Sequence, residues 1–241
     1  MRRASLFLIA LLAAAPAHAD SLGTTAAPFT LPDSAGAKVS LEDFKAKKAV
    51  VVLFLGTQCP INNSYMPRVH ELNEEYAAKG VQFLAINSNE TDAKATVAEH
   101  ARKHRIAFPV LLDPGQAVAD RFGAERHPVA FVLDEKRVIR YQGRIDDQFG
   151  IGFVRPSPSR RDLAEALDDI LAGKEVRVKT TPVAGCYITR AARPKATPAP
   201  TYGGQVAKVV QNKCVECHRP GQIGPMPLLT YEDVSSWSAM I

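Results

Sequence analysis

The sequence predicts an α/β domain built around a mixed sheet, followed by a small and separate helical segment. Two continuous apolar runs, at residues 49–55 and 81–87, have the length and β-branched content of strands that are buried on both faces. Apolar residues at helical spacing lie between the two runs, as in a strand–helix–strand unit. Residues 190–202 contain three prolines and no periodicity, so we interpret them as a semi-rigid linker before residues 203–241.

The other elements of the domain follow from turn residues and periodicity. In chain order, the predicted elements are a lead-in at 26–44, a strand at 49–55, a helix at 63–78, a strand at 81–87, a helix at 92–104, a strand at 107–112, a helix at 116–122, strands at 129–133 and 138–142, and a helix at 161–171. Charged residues at 134–137 form the hairpin turn between the last two strands. Gly80 and Gly173 end two of the helices, and Ser159 is the expected N-cap of the last one.

The N-terminus has the pattern of a cleavable signal peptide over residues 1–19. Arg2 and Arg3 form a basic start, a short apolar run follows, and Ala17 and Ala19 supply an A-x-A cleavage site. The apolar run is too short to span a bilayer, so we expect no transmembrane anchor. The sequence therefore predicts a periplasmic or otherwise exported protein whose larger domain covers residues 20–189.

The charge of the chain does not favour a nucleic-acid partner. The formal net charge is +5, of which the signal peptide contributes two, and the remaining +3 is spread along the chain. His100 and His104 are four residues apart on a predicted helix, but the basic residues around them favour a solvated basic face over a metal site. Export places the four cysteines in a compartment where disulfides persist.

Cys59 follows the first buried strand, at the point where the chain turns into a helix. A helix N-terminus presents free N–H groups and a positive dipole, and both stabilise a thiolate. The second half of such a site would be a proline, usually cis, at the start of a later strand, and Pro128 has that position. His127 and Arg126 then flank the sulfur, although a solvated loop is an equal reading for Arg126.

Residues 26–173 resemble the redoxin branch of the thioredoxin-like superfamily, which includes the AhpC/TSA peroxidases. The resemblance depends on three stretches: APFTLPD, VVLFLGTQCP with the helix and strand that follow it, and HPVAFVLDEKRVIRYQGRIDD. It implies a thioredoxin-like α/β fold, with a mixed central sheet flanked by helices, and thiol or peroxide chemistry at Cys59. Two positions depart from the family: Asn62 replaces the second cysteine of Cys-x-x-Cys, and Gly56 replaces the peroxidase threonine.

Cys186 could supply the missing second thiol. It lies beyond the last helix of the domain and follows Gly185, which allows close backbone approach. Three readings stay open: Cys59 and Cys186 cycle between dithiol and disulfide, they form a permanent disulfide, or they are unrelated thiols. Cysteine spacing alone does not choose among them.

Cys214, Cys217 and His218 form a C-x-x-C-H motif, the attachment site of a c-type haem. The two thiols would form thioethers, and the histidine would be the proximal ligand of the iron. Zinc or a plain disulfide is the alternative. The predicted export and the glycine- and proline-rich residues 221–227 favour haem.

Residues 203–241 resemble the start of a class I c-type cytochrome domain, with helical residues 205–213 before the motif and Gly224-Pro225 after it. The resemblance implies that the carbonyl at Gly224-Pro225 accepts the N–H of His218 and fixes its ring. Pro225 and Met226 then lie on the proximal side, so Met226 cannot reach the opposite face of the haem.

This cytochrome segment is predicted to be incomplete. The helix expected from about Tyr231 has no cap or stop signal before Ile241, and too few residues follow the linker to enclose a haem. We expect a fragment of a longer chain, or a haem completed by another polypeptide. Met240 is possible as the distal ligand in principle, and that ligand stays unassigned.

Taken together, these features predict an exported redox protein. Its redoxin domain would act on a thiol/disulfide protein or a peroxide through Cys59, with Cys186, and its haem segment would exchange electrons with a partner protein. The alternative is a catalytically degenerate redoxin domain that serves as a binding or structural module of a larger haem protein, a reading that the missing Cys-x-x-Cys supports.

Overall fold

The computed structural model of the protein describes residues 22–190, 200–224 and 226–238. The chain divides between Ala191 and Ala192 into two compact units. The predicted signal peptide, most of the predicted linker, Pro225 and Met240 lie outside the described residues. None of the described helices is long and apolar enough to cross a membrane.

The first unit contains eleven strands and four α-helices among its described residues. The strands are β1 (Thr30–Pro32), β2 (Lys38–Ser40), β3 (Ala49–Phe54), β4 (Val81–Asn87), β5 (Val110–Leu112), β6 (Arg126–His127), β7 (Val129–Asp134), β8 (Ile139–Gly143), β9 (Phe149–Gly150), β10 (Phe153–Val154) and β11 (Cys186–Tyr187). The helices are α1 (Pro60–Ala77), α2 (Lys94–Lys103), α3 (Ala117–Phe122) and α4 (Asp162–Leu171).

Five of these described strands form the central sheet, in the order β5-β4-β3-β7-β8. β3 is parallel to β4 and antiparallel to β7, so the predicted mixed sheet is confirmed. Every residue of β3 is buried, because helices or the lead-in cover both faces of the sheet. This burial explains why β3 has no polar alternation in its sequence.

The side chains of β3 alternate between two hydrophobic cores. Val51 and Leu53 pack with residues of α1 and α4, whereas Val52 and Phe54 pack with α3 and the lead-in. On the second face, the rings of Phe54 and Phe122 meet edge to face at 5.8 Å. Burying each such large side chain contributes about 1.5–3 kcal/mol to the stability of the fold. Packing on both faces therefore holds the sheet rigidly, including the adjacent ends of β3 and β7.

Two helix starts differ from the sequence prediction. α1 begins at Pro60, three residues before the predicted Asn63, because proline is well suited to the first position of a helix. α4 begins at Asp162 with Arg161 as its cap, so the Ser159 cap was wrong. The carboxylate of Asp147 accepts the N–H groups of Ser159 and Arg160 and holds them outside the helix.

The second unit is a small helical structure. A π-helical turn at Tyr202–Val206 leads into α5 (Ala207–Lys213), and α6 (Tyr231–Ser236) follows the C-x-x-C-H motif. Val210, Leu228 and Val234 form its buried core. The helix predicted to run toward Ile241 ends at Ser236, and a capping box of Thr230 and Asp233 fixes its start.

Candidate functional site

Cys59 lies between the end of β3 and the start of α1, as the sequence predicted. It is the N-cap residue of α1 and is 2% exposed. Its thiol donates a hydrogen bond to the carbonyl oxygen of His127 at 3.6 Å, across 68 residues of sequence. The strand–turn–helix junction therefore holds the sulfur against the segment that precedes β7.

Pro128 lies in that segment, directly before β7, and the His127–Pro128 peptide bond is cis. Because β7 is the antiparallel neighbour of β3, with Phe54 opposite Val129, the start of β7 meets the end of β3. Cys59 and Pro128 thus come together at one end of the central sheet.

Cys186 reaches the same place through a short ladder that the sequence prediction missed. β11 pairs with β6 in antiparallel register, with Cys186 opposite His127. A Cβ atom at Gly185 would lie 2.1 Å from the carbonyl oxygen of His127, so only glycine permits this approach. Both cysteines are free, but Cys59 is buried whereas Cys186 is exposed.

The surroundings of Cys59 favour its thiolate. Burial by itself raises the pKa of a thiol, but hydrogen bonding to the His127 side chain, to the backbone of Asn62 and to Cys186 outweighs burial and lowers the pKa of Cys59 to about 6. A large fraction of Cys59 is therefore ionised at neutral pH.

Cys186 behaves in the opposite way. Burial of its sulfur, hydrogen bonding to Cys59 and the negative charge of that thiolate raise the pKa of Cys186, and nearby Arg126 only partly offsets them. As the pH rises, Cys59 therefore loses its proton first, and Cys186 stays protonated.

A polar network behind Cys59 fixes the tautomer of His127. The Asn89 side chain accepts the backbone N–H of Thr189 at 2.9 Å and donates to Asp92 at 3.1 Å, which settles the orientation of its amide. Its Nδ2 also lies 3.3 Å from Nε2 of His127, which must therefore accept, leaving the proton on Nδ1. Nδ1 is buried and makes no hydrogen bond of ordinary geometry, so it is free to donate to a thiolate at Cys59.

The two departures from the family pattern have structural explanations. Gly56 lies under the imidazole of His127: a Cβ atom there would be 2.2 Å from Cε1 of that ring. The ring therefore excludes a threonine at this position. Asn62 is fully buried, and its amide donates to the carbonyl oxygen of Gly56 at 2.8 Å, so it braces the loop before Cys59.

Arg126 and Tyr187 border the exposed side of the site. The Arg126 guanidinium stacks 3.7 Å from the Tyr187 ring centroid and donates to the carbonyl oxygen of Gly185 at 2.7 Å. Arg126 is therefore fixed in place rather than a solvated loop residue. Tyr187 is 62% exposed, beside Cys186 in the chain.

The backbone bonding around the C-x-x-C-H motif differs from the prediction at one carbonyl. Nδ1 of His218 donates to the carbonyl oxygen of Met226 at 3.0 Å, rather than to the predicted carbonyl at Gly224-Pro225. Gly224 instead donates its N–H to the carbonyl oxygen of Cys217 at 2.8 Å and turns the chain back toward the ring. The backbone of Met226 therefore lies beside His218, as expected for a proximal position.

The donor set of this segment fits a c-type haem. With Nδ1 occupied, Nε2 of His218 is the nitrogen left for iron, and Cys214 and Cys217 are free thiols, Cys217 being exposed. Attachment to a porphyrin through thioethers uses two thiols and one axial nitrogen, and these three residues supply them.

Comparisons with known proteins agree with the fold of the first unit. A model of the AhpC/TSA family matches residues 22–142. The chain is 33% identical over 114 residues to the thiol-disulfide oxidoreductase ResA of Bacillus thuringiensis; this alignment covers 47% of the chain and 64% of that protein. The chain thus spans a little under two thirds of the length of such curated relatives.

Solved structures of two proteins match the chain more completely. A hypothetical protein from Sinorhizobium meliloti has a TM-score of 0.65 and 32% identity, over 72% of this chain and 96% of its own. An uncharacterized conserved protein from Geobacillus kaustophilus has a TM-score of 0.64 and 32% identity, over 73% of this chain and 95% of its own. The predicted thioredoxin-like fold is confirmed.

Proposed function

This chain belongs to the AhpC/TSA family, and on that basis we propose that it is an exported thiol–disulfide oxidoreductase whose redox pair is Cys59 and Cys186. One observation carries the proposal: two cysteines far apart in sequence meet at His127, which pairs with Cys186 in the β6–β11 ladder and accepts a hydrogen bond from the thiol of Cys59. The lowered pKa of Cys59, about 6, supports it. A stabilised thiolate next to a second thiol is the arrangement that thiol–disulfide exchange requires.

The two sulfurs replace the adjacent pair of a Cys-x-x-Cys site. When they join, the dithiol loses two electrons and two protons and becomes a disulfide. His127 stabilises the thiolate of Cys59 through Nδ1, and Asn89 holds the imidazole in that tautomer. The carbonyl of His127, directly before Pro128, accepts the hydrogen bond of the Cys59 thiol.

Thiol–disulfide exchange is favoured over peroxide reduction. Gly56 lies where a peroxidase has its threonine, and the His127 ring covers it, so no hydroxyl is available there to hold a peroxide. The relative named as a thiol-disulfide oxidoreductase also supports this class of reaction.

We further propose that Cys214, Cys217 and His218 hold a c-type haem. The free thiols and the bond from His218 to the carbonyl of Met226 support this. The role predicted for Pro225 stays a prediction, because that residue lies outside the described residues. When bound, such a haem exchanges one electron at a time with a partner. The residues of this chain supply the attachment and orient the proximal imidazole.

Export is part of the proposal because protein disulfides form in exported compartments, where a cysteine pair can cycle through one. It depends on the signal-peptide pattern of residues 1–19. If the pattern functions, the exported protein begins at Asp20, and N-terminal sequencing of the periplasmic fraction tests this. An intact Met1 in the mature protein would contradict export.

The activity is tested by insulin reduction and by peroxide consumption, each with a dithiol as electron donor. We expect the wild-type chain to accelerate insulin reduction, Cys59→Ser and Cys186→Ser to lose the acceleration, and the exposed Ser64→Ala on α1 to keep it. Equal rates in wild type and Cys59→Ser would favour the degenerate binding module. Peroxide consumption lost in Cys59→Ser would favour a peroxidase instead.

A further inference from the structure

The two sulfurs of the site differ in how an outside molecule can reach them. Cys59 is 2% exposed and lies behind the β6–β11 ladder, whereas Cys186 is exposed on the strand at the outer edge of that ladder. In common Cys-x-x-Cys sites, the thiol with the lowered pKa is the one that substrates contact. Here the thiolate-forming cysteine is the inner one.

Attack on a disulfide depends on which sulfur a thiolate can reach. Cys59 is 2% exposed, and its sulfur lies against the carbonyl oxygen of His127. Cys186 is exposed, so an incoming thiolate can approach it from solvent. The burial of the two residues therefore favours attack at the outer one, Cys186.

We propose that Cys186 is the sulfur attacked by external thiolates and Cys59 is the leaving thiolate, so that the pair accepts electrons from dithiol substrates. This inference rests on the proposed function and adds its direction and its substrate class. The substrate that reaches Cys186 is a molecule with two thiols, such as a reduced protein or peptide.

The steps balance without any further reagent. A substrate thiolate attacks Sγ of Cys186, a mixed disulfide forms, and the bond to Cys59 breaks with its electron pair staying on Cys59. The second substrate thiolate then attacks the substrate sulfur of the mixed disulfide, the substrate disulfide forms, and Cys186 leaves and takes up a proton. The substrate loses two electrons and the pair gains them.

The acidity of the two thiols supports this direction. A thiol of low pKa is the better leaving group, and hydrogen bonding to His127 lowers the pKa of Cys59. The raised pKa of Cys186 makes it the group that stays protonated after release. Stabilising the reduced form in this way makes a disulfide more oxidising.

The test uses the oxidised wild-type chain and a limiting amount of glutathione, followed by acid quenching, alkylation and trypsin digestion. Cleavage after lysine and arginine separates the cysteines, with Cys59 on peptide 49–68 and Cys186 on peptide 180–190. We expect glutathione on peptide 180–190 and the alkyl group on peptide 49–68, with a preference of about tenfold or more.

The possible outcomes separate this inference from the proposed function. If oxidation never links the two peptides, both the proposed function and this inference fail. If the link forms but glutathione is found mainly on Cys59, or equally on both, the redox pair stands and this inference is overturned. The control repeats the glutathione reaction on the oxidised chain after unfolding. The preference should disappear there, because neither sulfur is buried.

Discussion

At the scale of single residues, the chemistry of the site depends on the imidazole of His127. The sequence indicated that His127 flanks the sulfur, but not that its ring lies over Gly56 or that Asn89 sets its tautomer. Those facts depend on contacts between residues that are 38 or more positions apart in sequence, which no local pattern encodes. Asn89 and Asp92 carry no motif that could have identified them.

Replacing His127 should raise the pKa of Cys59. The thiolate absorbs ultraviolet light that the thiol does not, so the absorbance difference between the reduced wild-type chain and Cys59→Ser should rise with pH through a midpoint of about 6. In His127→Leu the midpoint should move up toward the ordinary thiol value. An unchanged midpoint would show that His127 does not stabilise the thiolate.

Adding a methyl group at Gly56 should disturb the same imidazole. A Cβ atom there meets Cε1 of His127 at 2.2 Å, so the ring or the loop must move. For Gly56→Ala we expect a loss of about 1–3 kcal/mol in the free energy of unfolding by urea, together with a raised pKa of Cys59. Gln58→Ala, at an exposed neighbouring position, should change neither; equal behaviour of the two variants would contradict the packing described here.

The acidity of Cys59 also predicts a pH dependence of stability. Its pKa is lower in the folded reduced protein than in the unfolded chain, so it stabilises the fold above the unfolded pKa. This contribution is lost as the pH falls through about 6. Urea unfolding of the reduced wild-type chain should show this loss between pH 9 and pH 6, and Cys59→Ser should lack it; parallel pH profiles would contradict the shift.

At the scale of elements, the central sheet was predictable because its strands are continuous apolar runs and α1, α2 and α4 have apolar periodicity. The ladder of β6 and β11 was not predictable, since two-residue strands have no periodicity to detect. His100 is a similar case: its ring bonds to the side chain of Asn63 at 2.8 Å and is half-buried, so the predicted solvated face was wrong there. Burial and the nearby His104 lower the pKa of His100 to about 4.

The β6–β11 ladder is the element that brings Cys186 to Cys59. A methyl group at residue 185 would lie 2.1 Å from a backbone oxygen, which cannot move aside as a flexible side chain can. We expect Gly185→Ala to keep the circular-dichroism spectrum of the fold but to lose oxidation-dependent linkage of peptides 49–68 and 180–190. Normal linkage in this variant would mean that the ladder does not position Cys186.

At the scale of the whole molecule, the chain combines a well-formed thiol domain with a small second unit that presents a C-x-x-C-H motif. The motif could be recognised from sequence because its spacing is local. The prediction gave the wrong carbonyl as the partner of the His218 ring, because that bond depends on how residues 224–226 turn back. The second unit has only three buried core residues among those described, so it contributes little packing of its own.

Covalent haem attachment is the prediction that belongs to this scale. After expression with a cytochrome c maturation system, the wild-type chain should retain haem staining in a denaturing gel, because thioethers survive denaturation. Cys214→Ala with Cys217→Ala should abolish the staining, and Cys186→Ser should keep it. An unstained wild-type chain, with a known cytochrome stained in parallel, would contradict haem attachment.

The central claim is that Cys59 and Cys186 form one reversible redox pair. Its most direct test is to equilibrate the folded wild-type chain in a series of glutathione buffers and to measure, by mass spectrometry, the fraction of peptides 49–68 and 180–190 that are linked. We predict a linked fraction that changes reversibly across the series. Peptides that stay linked in every buffer would indicate a permanent disulfide, and peptides that never link would indicate unrelated thiols; either result would contradict the account.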